Sequence, residues 1–343
     1  MKAGITILDA DGHALDGDAI YQQYLEPPYN ERGRFIYPVD GFDRNQGGRL
    51  GRRPADAQAL LADMDVEGID TMVLFPTFGL NLGMIREPDY AAALARAYNN
   101  WMHDYRQAAP DRLKAVAVLP LVDPPAAVRE LERAAGELGV VGVMVHTEVS
   151  RRNVADEDYW PLYATAQRLN LPVAYHAHGS GSGDTYRWRN FLGVHTWSHV
   201  PEQLITAASV AYGGVLEKFP DLRVAFLEAG CGWVPFWLEH LDEEWEKRPF
   251  DAPLATDRPS AYLTSGRCWY SCEPEEKTIP YVAQWIGEDQ IVYASDYPHW
   301  DGGWPRSVDT LLERDDLSET LKRKILGENA CRYYGLPAPV PAR

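Results

Sequence analysis

Cysteine is scarce in this chain of 343 residues, with only Cys231, Cys268, Cys272 and Cys331. Four such scattered thiols argue against a disulfide framework in a chain this large. Cys268 and Cys272 have no second pair nearby to complete a zinc knuckle, so all four are expected to serve as small buried hydrophobes. Basic residues are short as well: 33 Lys and Arg face 50 Asp and Glu, for a net charge of −17. Binding to a phosphate backbone needs the opposite balance, so no nucleic-acid partner is expected. No apolar run reaches the ~20 residues that cross a bilayer. The opening MKAGITILDADGH runs into acidic residues instead of a cleavable signal, which predicts a cytoplasmic protein with no membrane partner. Two nucleotide-binding signatures are missing too, since no G-x-G-x-x-G follows the first apolar run and no P-loop occurs.

What is present is the pattern of a soluble globular chain, 45% hydrophobic and 24% charged. Eight apolar, β-branched runs recur: GITILDADGH, GIDTMVLFP, LKAVAVLPL, VVGVMVHT, LPVAYHAHG, LRVAFLEAG, RCWYSCE and QIVYASDYP. Between them lie segments of helical periodicity with charged faces, such as DAQALLADMDVEG and AAVRELERAAGELG. Short apolar strands alternating with helices specify a parallel sheet, and eight such units close a (β/α)8 TIM-like barrel. The expected organisation is one barrel domain over residues 1–343, with an inserted arm at 15–53 that is too long for an ordinary loop and covers the site or makes an oligomer contact.

In such a barrel the C-terminal ends of the strands face the catalytic mouth. The first run ends Asp9-Ala10-Asp11-Gly12-His13, where alternation places all three polar side chains on one face. The fifth ends His176-Ala177-His178, the sixth Leu227-Glu228, and the eighth Ser295-Asp296-Tyr297-Pro298-His299. Carboxylates and imidazoles from four strand ends converging on one mouth need a cation to offset their mutual desolvation. Two imidazoles with two carboxylates suit one divalent ion, Zn2+ or else Mn2+, better than Mg2+ or Ca2+.

The stretches DADGH, LPVAYHAHG, GGVLEKFPDLRVAFLEAGCGWVPFWLEHLDE and YASDYPHWDGGWP resemble the amidohydrolase-related branch of the amidohydrolase superfamily over nearly the whole chain. That branch includes α-amino-β-carboxymuconate-ε-semialdehyde decarboxylase and γ-resorcylate decarboxylase, together with hydratases and hydrolases. The resemblance implies metal ligands at Asp11, His13, His176 and Asp296. There are two departures: Asp11 stands where the family has His or Glu, and Glu228 stands where many relatives carry a sixth-strand histidine.

The implied chemistry is decarboxylation of a small aromatic or unsaturated carboxylic acid. Asp296 is then the acid, and Glu228, His178 and His199 are its helpers. The alternative is hydrolysis or hydration with Glu228 as general base, and a third reading is a metal-free binding barrel. Trp233 and Trp300 are candidate walls for a planar substrate, and Arg187 is a candidate partner for its carboxylate. His195 and His199 are spaced for one helical face just ahead of a helix, whereas His103, His146 and His240 are read as structural. The resemblance also implies a homodimer or homotetramer.

Overall fold

The computed structural model describes residues 2–32, 56–149, 152–177 and 187–337. Eight strands pair in sequence order: β1 (Leu8–Ala14), β2 (Thr71–Pro76), β3 (Leu113–Ala117), β4 (Gly142–His146), β5 (Val173–His176), β6 (Val224–Phe226), β7 (Cys268–Cys272) and β8 (Ile291–Tyr293). Every neighbouring pair is parallel. Nearly all strand residues are buried, as expected of a sheet covered on both faces by crossover helices. The ring closes just beyond the end of β8, where the Asp296 amide donates to the Asp11 carbonyl (3.0 Å) and the His13 amide to the Tyr297 carbonyl (2.7 Å). The architecture is the (β/α)8 barrel. The four cysteines are buried and free.

Local chemistry sets the element ends. Asp56 caps the helix Ala57–Glu67 by accepting from the Ala59 amide (2.9 Å), and Gly68, at φ +89°, ends it in the left-handed conformation that a side chain would resist. Asp123 caps Pro124–Arg133 in the same way, with proline in the first turn. On the face of the sheet opposite His176, Tyr175, Phe226 and Tyr270 share a register across β5, β6 and β7. They stack with centroids 5.6 and 5.4 Å apart, and each such pair contributes about 0.5–1.5 kcal/mol beyond burial.

Two features near the mouth depart from regular alternation. The register of β1 against β2 shifts between Asp9 and Gly12, and a Cβ on Gly12 would lie 2.4 Å from the Met72 sulfur. Only glycine lets β1 press so close there. The bulge separates Asp9 from the face of Asp11 and His13, correcting the three-on-one-face expectation. Asp9 Oδ1 accepts from the Ser295 amide (3.0 Å) and the Asp11 amide (3.1 Å), so it ties the barrel seam. The arm includes the helix Asp18–Tyr24, and its residues 33–53 lie outside the described residues. It is anchored by Asp16, fully buried, which accepts from the Thr77, Phe78 and Gly79 amides and from the Tyr21 hydroxyl at 2.6–2.8 Å.

Candidate active site

Asp11 and His13 project from β1 and His176 ends β5, and their ligating atoms lie within 4.8 Å of one another. His13 donates Nδ1–H to the Pro76 carbonyl (2.7 Å), and His176 donates Nδ1–H to the Ala177 carbonyl (2.7 Å). Each bond fixes a tautomer and turns the Nε2 lone pair inward. His13 Nε2 lies 3.6 Å from Asp11 Oδ1 and 3.2 Å from Asp296 Oδ1, while His176 Nε2 lies 3.6 Å from Asp11 Oδ1 and 3.2 Å from Glu228 Oε2. Both Nε2 atoms, both Asp11 carboxylate oxygens and Glu228 Oε2 are buried without a hydrogen-bond partner. Leaving so many polar atoms unmatched is costly unless a cation sits among them.

Electrostatics lead to the same conclusion. Burial pulls the His13 imidazole down, but the close approach of Asp296 and the charges of Asp11, Asp296 and Glu228 outweigh this and push its pKa up to about 10. Burial raises Asp296, but the charge of His299, the close approach of His13 and the hydrogen bond from His299 hold its carboxyl well below the usual carboxylate range. Glu228 is pushed up to about 8, first by burial and then by the charge of Asp296. The cluster draws positive charge strongly. A divalent ion supplies that charge and uses both inward lone pairs, so the donor set fits Zn2+ or Mn2+.

The two strand-end acids share an unusual backbone. Glu228 and Asp296 both sit at φ +53°, a region that costs an ordinary L-residue about 1–2 kcal/mol. Both side chains line a cavity of about 190 Å³ with His195, His199, Glu273 and Asp301. A hollow of about 280 Å³ between the arm and the helices Pro88–Tyr105 and Pro124–Arg133 is lined by Tyr24, Glu26, Arg96 and Arg129, among others, and by no histidine. The smaller cavity is therefore the chemical one.

The other residues singled out from sequence fall in different places. His199 is buried, with Nε2 3.2 Å from Glu228 Oε1. Trp300 sets its ring edge-on to His195, centroids 5.1 Å apart. Trp233 packs against Phe226 and Tyr270 and donates to the Gly230 carbonyl (2.9 Å), so it braces the wall behind the cavity. Arg187 is exposed. His178 lies outside the described residues. His195 and His199 are not ahead of a helix but within Phe191–Tyr212, which starts ten residues before Pro201 because Asn190 caps it, accepting from the Gly193 amide (2.8 Å).

Two cavity groups, Glu273 and Asp301, and the adjoining His299 stand outside the expected ligands and catalytic residues. Glu273 directly follows β7, a strand end that carried the same signal as the others. His299 donates Nδ1–H to Asp296 Oδ1 (2.7 Å), a contact made by the turn between them. Asp301 Oδ2 meets His195 Nε2 at 3.4 Å.

A family model described as amidohydrolase matches residues 8–336. The chain belongs to the amidohydrolase family. This amidohydrolase is 28% identical to gamma-resorcylate decarboxylase of Polaromonas sp. (strain JS666 / ATCC BAA-500), with 80% of this chain and 85% of the relative aligned. It is 25% identical to 2-amino-3-carboxymuconate-6-semialdehyde decarboxylase of Dictyostelium discoideum, with 82% of this chain and 77% of the relative aligned. A solved structure of dihydroxybenzoic acid decarboxylase from Polaromonas sp. JS666, with bound manganese and the inhibitor 2-nitroresorcinol, superimposes with a TM-score of 0.73 at 22% identity, covering 96% of this chain and 97% of that one. The amidohydrolase is thus an enzyme by family. No helix among its described residues is long and apolar enough to cross a membrane.

His146, at the end of β4, is buried and donates Nε2–H to the Gly79 carbonyl (3.2 Å). Burial holds its pKa down at about 4, against 6.5 for a free imidazole. Between those values the unfolded chain binds a proton that the folded amidohydrolase does not, so stability falls as pH drops through that window, by roughly 3 kcal/mol in full. His146→Gln keeps a donor for Gly79 and should flatten this part of the acid limb. Urea midpoints measured from pH 7 to pH 4 check it, and parallel curves for the two proteins would refute it.

Proposed function

We propose that this amidohydrolase decarboxylates a small aromatic or unsaturated carboxylic acid, using one divalent ion, zinc or manganese, held by Asp11, His13, His176 and Asp296. The observation that carries this reading is the set of inward, buried, unpartnered donors on β1 and β5, with His13 and His176 each 3.2 Å from an acid, Asp296 or Glu228, that lines the cavity. Relatives named as decarboxylases and the manganese in a structural neighbour support it. When bound, the ion supplies a chelating positive charge for the substrate carboxylate and a neighbouring oxygen.

The protein groups supply position and a proton. Asp296 Oδ1 shares a proton with His299 Nδ1 (2.7 Å), and His299 Nε2 is 3.3 Å from the Thr77 hydroxyl, which gives a relay from the β2 loop to the cavity. The proton carried on His299 Nδ1 is handed through the Asp296 carboxylate to the carbon that bears the substrate carboxylate. The carbon–carbon bond then breaks, its electron pair restores the ring or double bond, and CO2 leaves. Glu228 and His199 face this relay and position the substrate, while the Trp300–His195 edge forms one wall.

The hydrolytic alternative rests on Glu228, whose Oε1 lies 3.2 Å from His199 Nε2 in the same cavity, a pairing suited to activating water. Incubation of the metal-loaded enzyme with ortho-hydroxylated benzoates should release CO2 stoichiometrically with the decarboxylated ring. Oxygen-18 uptake from water into product without CO2 would establish the hydrolytic reading instead.

A further inference from the structure

A second donor set lines the cavity beside the first. His195 and His199, four residues apart on the helix Phe191–Tyr212, share a face with ring centroids 4.8 Å apart, and their ligating atoms cluster with that of Glu228 within 4.8 Å. His199 Nε2 is 3.2 Å from Glu228 Oε1, and His195 Nε2 is 3.4 Å from Asp301 Oδ2. Donors held on one ion by bonds of ~2.1 Å sit about 3.0–3.4 Å from each other.

Hydrogen bonding sets the orientation of His199. The Ser198 hydroxyl donates to the His195 carbonyl (3.1 Å), so its oxygen accepts from His199 Nδ1–H (2.9 Å), and Nε2 is left as an acceptor directed at a carboxylate oxygen. Two acceptors at that separation require a cation or a proton between them. Glu228 connects the two sets. Its side chain is 10% exposed, Oε1 faces His199, and Oε2 faces His176 Nε2 at 3.2 Å with no hydrogen-bond partner.

We propose that His195, His199, Glu228 and Asp301 form a second divalent-cation site, bridged to the first by Glu228 with one carboxylate oxygen toward each. The mixed imidazole and carboxylate donors select Mn2+, Zn2+ or Co2+ over Ca2+. The role of the site rests on the decarboxylase reading above. The described residues lining the cavity include Glu228, Glu273, Asp296 and Asp301 but no Lys or Arg, so a carboxylate substrate meets a negative wall. A cation on the helix side reverses the local field and offers a second anchor for substrate oxygens.

The test is a calorimetric titration of the metal-free enzyme with Mn2+, followed by anomalous diffraction from Mn2+-soaked crystals. Two ions per chain are expected, one among Asp11, His13 and His176 and a weaker one among His195, His199 and Asp301. His195→Ala and Asp301→Asn should each weaken the second by more than about tenfold while leaving the first unchanged. His195 and Asp301 are partly exposed, at 21% and 34%, so their removal leaves the core intact, which a melting curve verifies. A single ion at the first position in millimolar Mn2+ overturns the second site and spares the proposed function. No ion at either position overturns both, and a second ion that both variants bind as tightly as the parent overturns the ligand assignment.

Discussion

Asp296→Asn should lower kcat by at least about a thousandfold, the upper part of the range for loss of a positioned proton donor, while the metal-free proteins keep the same fold and melt alike. The substitution isolates charge from shape. Asp296 sits at φ +53°, and asparagine tolerates that region as well as any side chain but glycine, so the turn into His299 is kept. The amide cannot shuttle a proton with His299 Nδ1, and it brings no negative charge to the ion's site beside His13 Nε2. Steady-state kinetics beside a thermal melt decide the matter, and turnover within a few-fold of the parent would remove Asp296 from the chemistry.

The second large effect is on metal content. Prolonged dialysis against a strong chelator should reduce turnover to background, with Mn2+ or Zn2+ restoring it, and the metal-free protein should melt earlier. At a free-metal concentration of 100 times Kd, linkage gives about 2.7 kcal/mol of added stability. His176→Ala should purify with less than a tenth of an equivalent, because it removes one of two imidazoles and leaves Asp11 Oδ1 facing a hole. Elemental analysis reads this directly. A parent protein that purifies without metal and gains no activity when metal is added would favour a binding barrel without chemistry.

The barrel was legible because parallel strands covered on both faces leave unbroken apolar runs, and eight of them can be counted. Helix ends were legible where a capping residue speaks for itself, as at Asp56 and Gly68. The convergence of Asp11, His13, His176, Glu228 and Asp296 followed from the rule that strand ends face the mouth. What alternation could not reveal is a bulge: the slip between Asp9 and Gly12 changes the role of Asp9 from mouth to seam. Nor does Pro201 read as the interior of a helix, since proline usually marks a first turn, and this hid the way Asn190 brings His195 and His199 over the cavity. Trp233 looked like a pocket wall because it follows Glu228 closely, but the turn at Gly230 lays its indole against Phe226 and Tyr270.

The seam between β1 and the residues after β8 also dictates when the enzyme can come to life. Asp11 and His13 are made long before Asp296, yet their backbones clasp each other across that seam. A nascent chain emerging from the ribosome therefore carries half a binding pocket until β8 is made, and cargo can be loaded only after the eighth βα unit has docked. Premature termination between His176 and that unit yields a polypeptide that holds three of the four proposed ligands and lacks the clasp across the seam.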